Sequence, residues 1–309
     1  MDIFLQQVLN GLIIGSIYAL IALGYTLVYG ILGLINFAHG EIVMIGAMTT
    51  LTILNALLGA DLNLSGFVLV LLALLLALPI SMLLGYGIER VAYRPLRKAP
   101  KLSPLITAIG LSIVLQNLAM IVWGKNYAPF PAILPTEPHQ ILGAAITDVQ
   151  IVIIGLAAVL MLALLWLIHR TRLGTAMRAV AQNPDAAKLM GVNVNVIISN
   201  TFILGSALGA IAGVMITANY GQAHATMGFV LGLKAFSAAV LGGIGNIAGA
   251  MVGGLLLGLI ESIGAGYIGE WSGGFLGSHY QDVFAFLVLI LVLVFKPSGL
   301  MGERVADRP

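Results

Sequence analysis

Lys234 and Glu261 are the charged residues inside the apolar runs of this chain, and Asn36, His39 and Glu41 stand where one long run gives way to the next. Polar groups held in lipid are costly, and where they occur they mark solute or ion paths, proton relays or counter-ions. If the run 229–241 points inward and 249–268 outward, Lys234 and Glu261 lie near the same face. They can then form a structural or gating ion pair that offsets their desolvation; separate snorkelling to the interface is the plainer alternative. Asn36, His39 and Glu41 are candidates for a gate or one end of a path. Their plainer reading is a helix start at which Asn36 or Glu41 satisfies backbone N–H groups.

Several chemistries drop out. Cys is absent, which removes disulfides, thiolate metal sites and a thiol nucleophile. No His-Glu-x-x-His spacing occurs, and His139, His169, His224 and His279 are scattered. No Gly-x-x-x-x-Gly-Lys-Ser/Thr phosphate loop is present, so the chain is not expected to hydrolyse ATP or to carry a cofactor of its own. A net charge of +2 gives no reason to expect a nucleic-acid partner.

Glycine supplies the remaining candidates. Gly205-x-x-x-Gly209-x-x-x-Gly213 and Gly249-x-x-x-Gly253 place small residues on one helix face, the pattern of close helix packing in membranes. Gly242-Gly243-x-Gly245-Asn246 is spaced too tightly for that and reads as a broken-helix turn, whose freed backbone groups could face a solute path.

The elements that position these residues must be membrane helices. Of 309 residues, 60% are hydrophobic and 8% charged, against about 25% charged in soluble domains. Apolar runs of spanning length lie near 42–60, 66–88, 102–124, 149–168, 196–217 and 249–268, with a shorter one at 283–295. The run 3–40 is too long for one simple span, and Gly24, Gly30 and Gly33 suggest a bend or break within it. The short run 229–241 is a discontinuous or re-entrant candidate. The expectation is an all-α polytopic membrane protein with eight or nine crossings, one transmembrane domain over 1–309. The N-terminus lacks the marks of a cleaved signal peptide.

Twelve of the 14 basic residues fall in three segments. Arg90, Arg94, Arg97, Lys98 and Lys101 form one, Arg170, Arg172, Arg178 and Lys188 a second, and Lys296, Arg304 and Arg308 the tail. The positive-inside rule makes these cytoplasmic, with the N-terminus outside. The segment 124–148 is then external, and its four prolines (Pro129, Pro131, Pro135, Pro138) make it stiff. It is either a docking surface or a solvated connector.

In the cytoplasmic loop at about 169–195, Asn183-Pro184-Asp185 signals a helix start and Gly191 a helix end. Ala186 and Ala187 allow close approach by a partner, and Arg178, Asp185 and Lys188 can orient it through ion pairs. Asp185-Ala186-Ala187-xxx-Gly191 resembles the Glu-Ala-Ala-xxx-Gly coupling helix of bacterial ABC importer permeases, with Asp for Glu. The stretches Gly24 to Glu41, Ile88 to Leu96 and Lys234 to Ala250 are similar to the H-type (LivH-family) permeases of branched-chain amino-acid ABC importers, over about residues 5–302.

That resemblance implies a bacterial inner-membrane subunit. Its partners would be a sister permease, two cytoplasmic ATPases that bind the ATP and Mg, and a periplasmic or lipid-anchored binding protein delivering leucine, isoleucine or valine. Related importers for urea, amides or other neutral amino acids remain open. An ion-coupled secondary transporter would need a relay of intramembrane acids, for which Glu261 alone qualifies.

Overall fold

A computed structural model describes residues 2–60, 62–97, 99–100, 102–141, 143–273, 275 and 280–302. Lys98, Lys101, His279, Arg304 and Arg308 lie outside the described residues. The chain folds as α1 (Asp2–Leu32), α2 (His39–Gly59), α3 (Gly66–Ile88), α4 (Leu102–Trp123) and α5 (Asp148–Arg170), followed by two short helices, α6 (Arg172–Gln182) and α7 (Pro184–Leu189). Then come α8 (Val194–Tyr220), α9 (Met227–Gly242), α10 (Ile247–Trp271) and α11 (Gln281–Phe295). Among the described residues, seven helices are long and apolar enough to cross a membrane, and α9 and α11 are shorter apolar helices. The fold is all-α and polytopic, in line with eight or nine crossings.

Successive helices alternate in direction between two faces. On one face, β1 (Ala128–Pro129) pairs with β4 (Gln222–Ala223), joining the segments that follow α4 and α8. There too β2 (Pro138–Ile141) and β3 (Ala144–Thr147) form a hairpin, and Gln6 pins the start of α1 to Ala145 with hydrogen bonds of 3.1 and 2.8 Å. The segment 124–148 is therefore partly ordered by strand pairing, beyond the stiffness that its prolines supply. Thr147 and Gln150 form a capping box that starts α5. The opposite face carries Arg90, Arg94, Arg97, Arg170, Arg172, Arg178, Lys188 and Lys296.

The long first run breaks at one place only. Gly24 and Gly30 lie inside an uninterrupted α1, contrary to a bend there, and the chain turns at Gly33 (φ +62°) before α2 begins. The reason is packing: α1 is the central helix, with Ile17, Leu20, Ile21 and Leu23 fully buried. Its neighbours hold it straight. By contrast α3, α4 and α5 are largely exposed along their apolar lengths and form the outer rim of the chain.

Small residues let backbones meet. A Cβ on Gly254 would strike the backbone of Ala19, and one on Gly258 would strike Gly15, so α10 lies directly on α1. Gly205 and Gly209 face α1 and α2, Gly213 meets the Val43 carbonyl, and Gly253 meets Ala238 and Gly242, as the four-residue spacing predicts. Gly254→Leu should cost about 1–3 kcal/mol or more through overpacking and lower the unfolding temperature in detergent. Gly155→Leu, on the open face of α5 with nothing within 4 Å, should leave it unchanged.

Candidate functional site

Polar residues gather in three places. The first is the turn from α1 into α2. Asn36 is buried and its Oδ1 accepts from the Ala38 N–H at 3.2 Å and the Tyr93 hydroxyl at 3.0 Å. It does satisfy a backbone group at the helix start. Glu41 does not: its Oε1 accepts from the Ser112 hydroxyl of α4 at 3.0 Å, and its Oε2 lies buried against Gly228 without a hydrogen-bond partner. His39 fills a notch made by Gly24, Gly205 and Gly209, with its ring edge-on to Tyr25 at 4.9 Å between centroids. A Cβ at Gly24 would fall on the imidazole, so this glycine serves the fit of a side chain rather than a bend.

The second is an ion cluster between α9, α10 and α11. Lys234 Nζ lies 2.7 Å from Glu261 Oε1 and 2.7 Å from Asp282 Oδ1. The Tyr18 hydroxyl donates to the same Glu261 oxygen at 3.3 Å. Lys234 and Glu261 thus pair, as their positions in opposed helices allow. Asp282 was not expected, because it stands one residue outside the run 283–295 and reads there as a boundary charge. The glycine turn below α9 also differs from expectation. Gly243 (φ +108°) and Gly245 (φ +94°) do turn the chain between α9 and α10, but the freed groups do not face open space. The carbonyls of Leu241 and Gly242 accept from Leu300 and Met301 N–H at 2.8 Å, and the Asn246 amide donates to the Met301 carbonyl. Gly242, moreover, is a packing glycine, since a Cβ there would strike the Gly249 carbonyl. The segment after α11 straps this turn shut.

The third is the loop between α5 and α8 on the basic face. Asn183 caps α7 by accepting from Asp185 and Ala186 N–H, both at 3.0 Å, and Pro184 occupies the first turn. Gly191 (φ +83°) ends it, with Gly191 N–H donating to Lys188 and Val192 N–H to Ala187, both at 3.0 Å. Asp185 pairs within the helix with Lys188 at 3.1 Å and Arg178 leans on Thr175. One expectation changes here, and one helix is added. Ala187 is buried against the chain itself, so only Ala186 of the alanine pair is open. The amphipathic helix is α6, which buries Gly174, Met177 and Val180 and was not read from the sequence. Leu189 and Met190, 88% and 84% exposed, form an apolar tip beside Gly191.

A buried charge joins the connection after α3 to the start of α8. Glu89 is fully buried in a π-helical turn, pairs with Arg97 and accepts from the Ser199 hydroxyl at 2.7 Å. Arg97 donates to Asn195 at 2.7 Å, at the start of α8. Burial lowers the Arg97 guanidinium from its usual value while Glu89 pulls it back up. Arg97→Met should cost about 3–5 kcal/mol by stranding the Glu89 carboxylate, read as a lowered unfolding temperature that Glu89→Gln partly restores. Both residues lie in or beside the motif that carries the resemblance, yet as loop charges they gave no sign of burial.

Residues 7–293 match the family described as branched-chain amino acid transport system / permease component. The chain belongs to this family. It is 46% identical to the high-affinity branched-chain amino acid transport system permease protein BraD of Pseudomonas aeruginosa, over 99% of this chain and 98% of that one. It is 44% identical to the corresponding permease protein LivH of Escherichia coli K12, over 99% and 97%. The galactofuranose transporter permease protein YtfT of the same organism is 32% identical over 94% of this chain and 80% of its own. Within the branched-chain permease family, then, the membrane architecture is that of a transport subunit.

Proposed function

We propose that this chain, 1–309 as one permease unit, is a membrane subunit of an ATP-driven importer for leucine, isoleucine or valine. The observation that carries the reading is near-full-length similarity to two branched-chain amino-acid permeases. A capped, solvent-facing α7 on the basic face supports the mechanism. With Arg178, Asp185, Ala186, Lys188 and the apolar tip Leu189–Met190 outward, α7 docks on a separate ATPase subunit, which supplies the energy and binds ATP and Mg. A sister permease completes the membrane part, and a binding protein docks on the hairpin face. The basic face is then cytoplasmic and the N-terminus external in a bacterial inner membrane.

Asn36, His39 and Glu41 control the inner part of the path in this reading. Lys234 and Glu261, with Asp282, lock α9 to α10 and α11 near the outer face. A cavity of 310 Å³ beside Lys234, lined by Tyr18, Tyr127, Tyr220 and His224, opens there. Gly242, Gly243, Gly245 and Asn246 hold the α9–α10 turn to the C-terminal strap, acting on the path through the tilt of α9.

Selectivity resides largely in the binding protein, so the test of substrate is made there. Calorimetry on the binding protein encoded beside this permease should give heat of binding with leucine, isoleucine or valine. Binding of urea or a simple amide alone would move the subunit to a related importer. Acid relays of the kind an ion-coupled carrier needs find little support, because Glu261 is engaged by Lys234 and Tyr18.

A further inference from the structure

A recess of 260 Å³ lies between α1, α4 and α9, with Phe37 of the α1–α2 turn at its edge, on the exposed side of α4. Its rim is apolar: Ile109, Ile113 and Phe229 are about half exposed there. Its floor is not. Tyr25, Ser112 and Gln116 bring a phenol, a hydroxyl and an amide into it. Lipid tails cannot hydrogen-bond such groups, and polar side chains on a lipid-facing surface are disfavoured for that reason. Towards the end of α4 the outward residues Leu118, Ile121 and Val122 are all apolar, as lipid contact requires. Beside the recess, Asn117 adds a second amide, bonded back to the Ile113 carbonyl at 2.7 Å.

Ser112 gives the floor a direction. Its one proton is committed to Glu41 Oε1 at 3.0 Å, so the hydroxyl presents only lone pairs to the recess. With that proton held by the buried Glu41 behind it, the Ser112 oxygen and the Gln116 carbonyl oxygen are acceptors on the floor for a positively charged donor. Gly232 keeps the floor open, since a Cβ there would come within 2.9 Å of the Tyr25 hydroxyl. A volume just below the roughly 300–1,000 Å³ of sites for drug-sized ligands suits a single small solute.

We propose that this recess is a transit subsite for an aliphatic amino acid: its ammonium on Ser112 and Gln116, its side chain against Ile109, Ile113 and Phe229. The inference rests on the importer reading and adds the residues that handle the cargo. The open side faces the bilayer, so a second permease chain must wall it off from lipid before a zwitterion can occupy it.

Because the chain contains no cysteine, a single introduced thiol reports its own surroundings. The complete importer carrying Gln116→Cys is reconstituted into liposomes and treated with a small cationic methanethiosulfonate. The expected result is labelling that abolishes uptake, slowed about tenfold by leucine at ten times its half-saturating concentration. Ile121→Cys, 79% exposed on the lipid side, should stay unlabelled. Ile113→Cys serves in the same way if Gln116→Cys fails to assemble. A thiol as inert as the Ile121→Cys control, or one labelled at the same rate with and without leucine while uptake continues, overturns the subsite. The unsubstituted importer is assayed alongside: if it takes up no leucine the importer reading fails by itself, while leucine protection still reports on the recess.

Discussion

Gly191→Trp is expected to abolish ATP-driven uptake while leaving the subunit folded in the membrane. The two effects separate because of local geometry. At φ +83° a residue with a Cβ meets about 1–2 kcal/mol of backbone strain, but nothing lies within 4 Å of where that Cβ would sit. The indole therefore projects outward beside Leu189 and Met190, onto the surface assigned to the ATPase. Blocking an interface at its centre costs about 3 kcal/mol or more, the scale of a hot spot, or about a hundredfold in docked population. ATP hydrolysis by the partner should lose its response to the loaded binding protein. Gly191→Asn, which tolerates the left-handed conformation, should keep most activity. Normal uptake by Gly191→Trp would remove α7 from the coupling role.

Lys234→Met is the second large effect, and it acts on stability. Glu261 has a side chain only 3% exposed, and without the ammonium 2.7 Å away its carboxylate is stranded between helices. Removing one partner of a buried pair costs about 3–5 kcal/mol. Asp282, with a side chain 40% exposed, is screened by solvent and adds little. Combining Lys234→Met with Glu261→Gln should recover most of the loss, since the Tyr18 hydroxyl can still donate to the amide oxygen. The double-mutant cycle, read by thermal unfolding in detergent, should be non-additive by more than about 1 kcal/mol. Additive losses would mean that the pair contributes nothing as a pair.

Much of this arrangement is legible in the sequence because membrane helices obey few rules. Apolar length fixes the spans, basic residues mark one face, and glycines at every fourth position marked the α8 and α10 contacts correctly. Asn183, Pro184 and Gly191 act through local backbone chemistry, so the bounds of α7 follow from the residues alone. What depends on distant partners was not legible. Ala187 turns inward because α7 rests on the chain, and Gly24 is required by a histidine 15 residues away rather than by a bend. Gly242 and Asn246 are held by residues near 300, which no local pattern announces. The Glu89–Arg97–Ser199 cluster and the Ser112–Glu41 link each join helices far apart in sequence, and single-chain periodicity carries no trace of them.

Leucine uptake into liposomes holding the complete importer tests most directly whether this chain is a passive membrane half driven from outside itself. With the binding protein outside and an ATP-regenerating system in the lumen, uptake should require hydrolysable ATP and continue when an ionophore collapses the proton and sodium gradients. Uptake that persists without ATP and stops with the ionophore would contradict it.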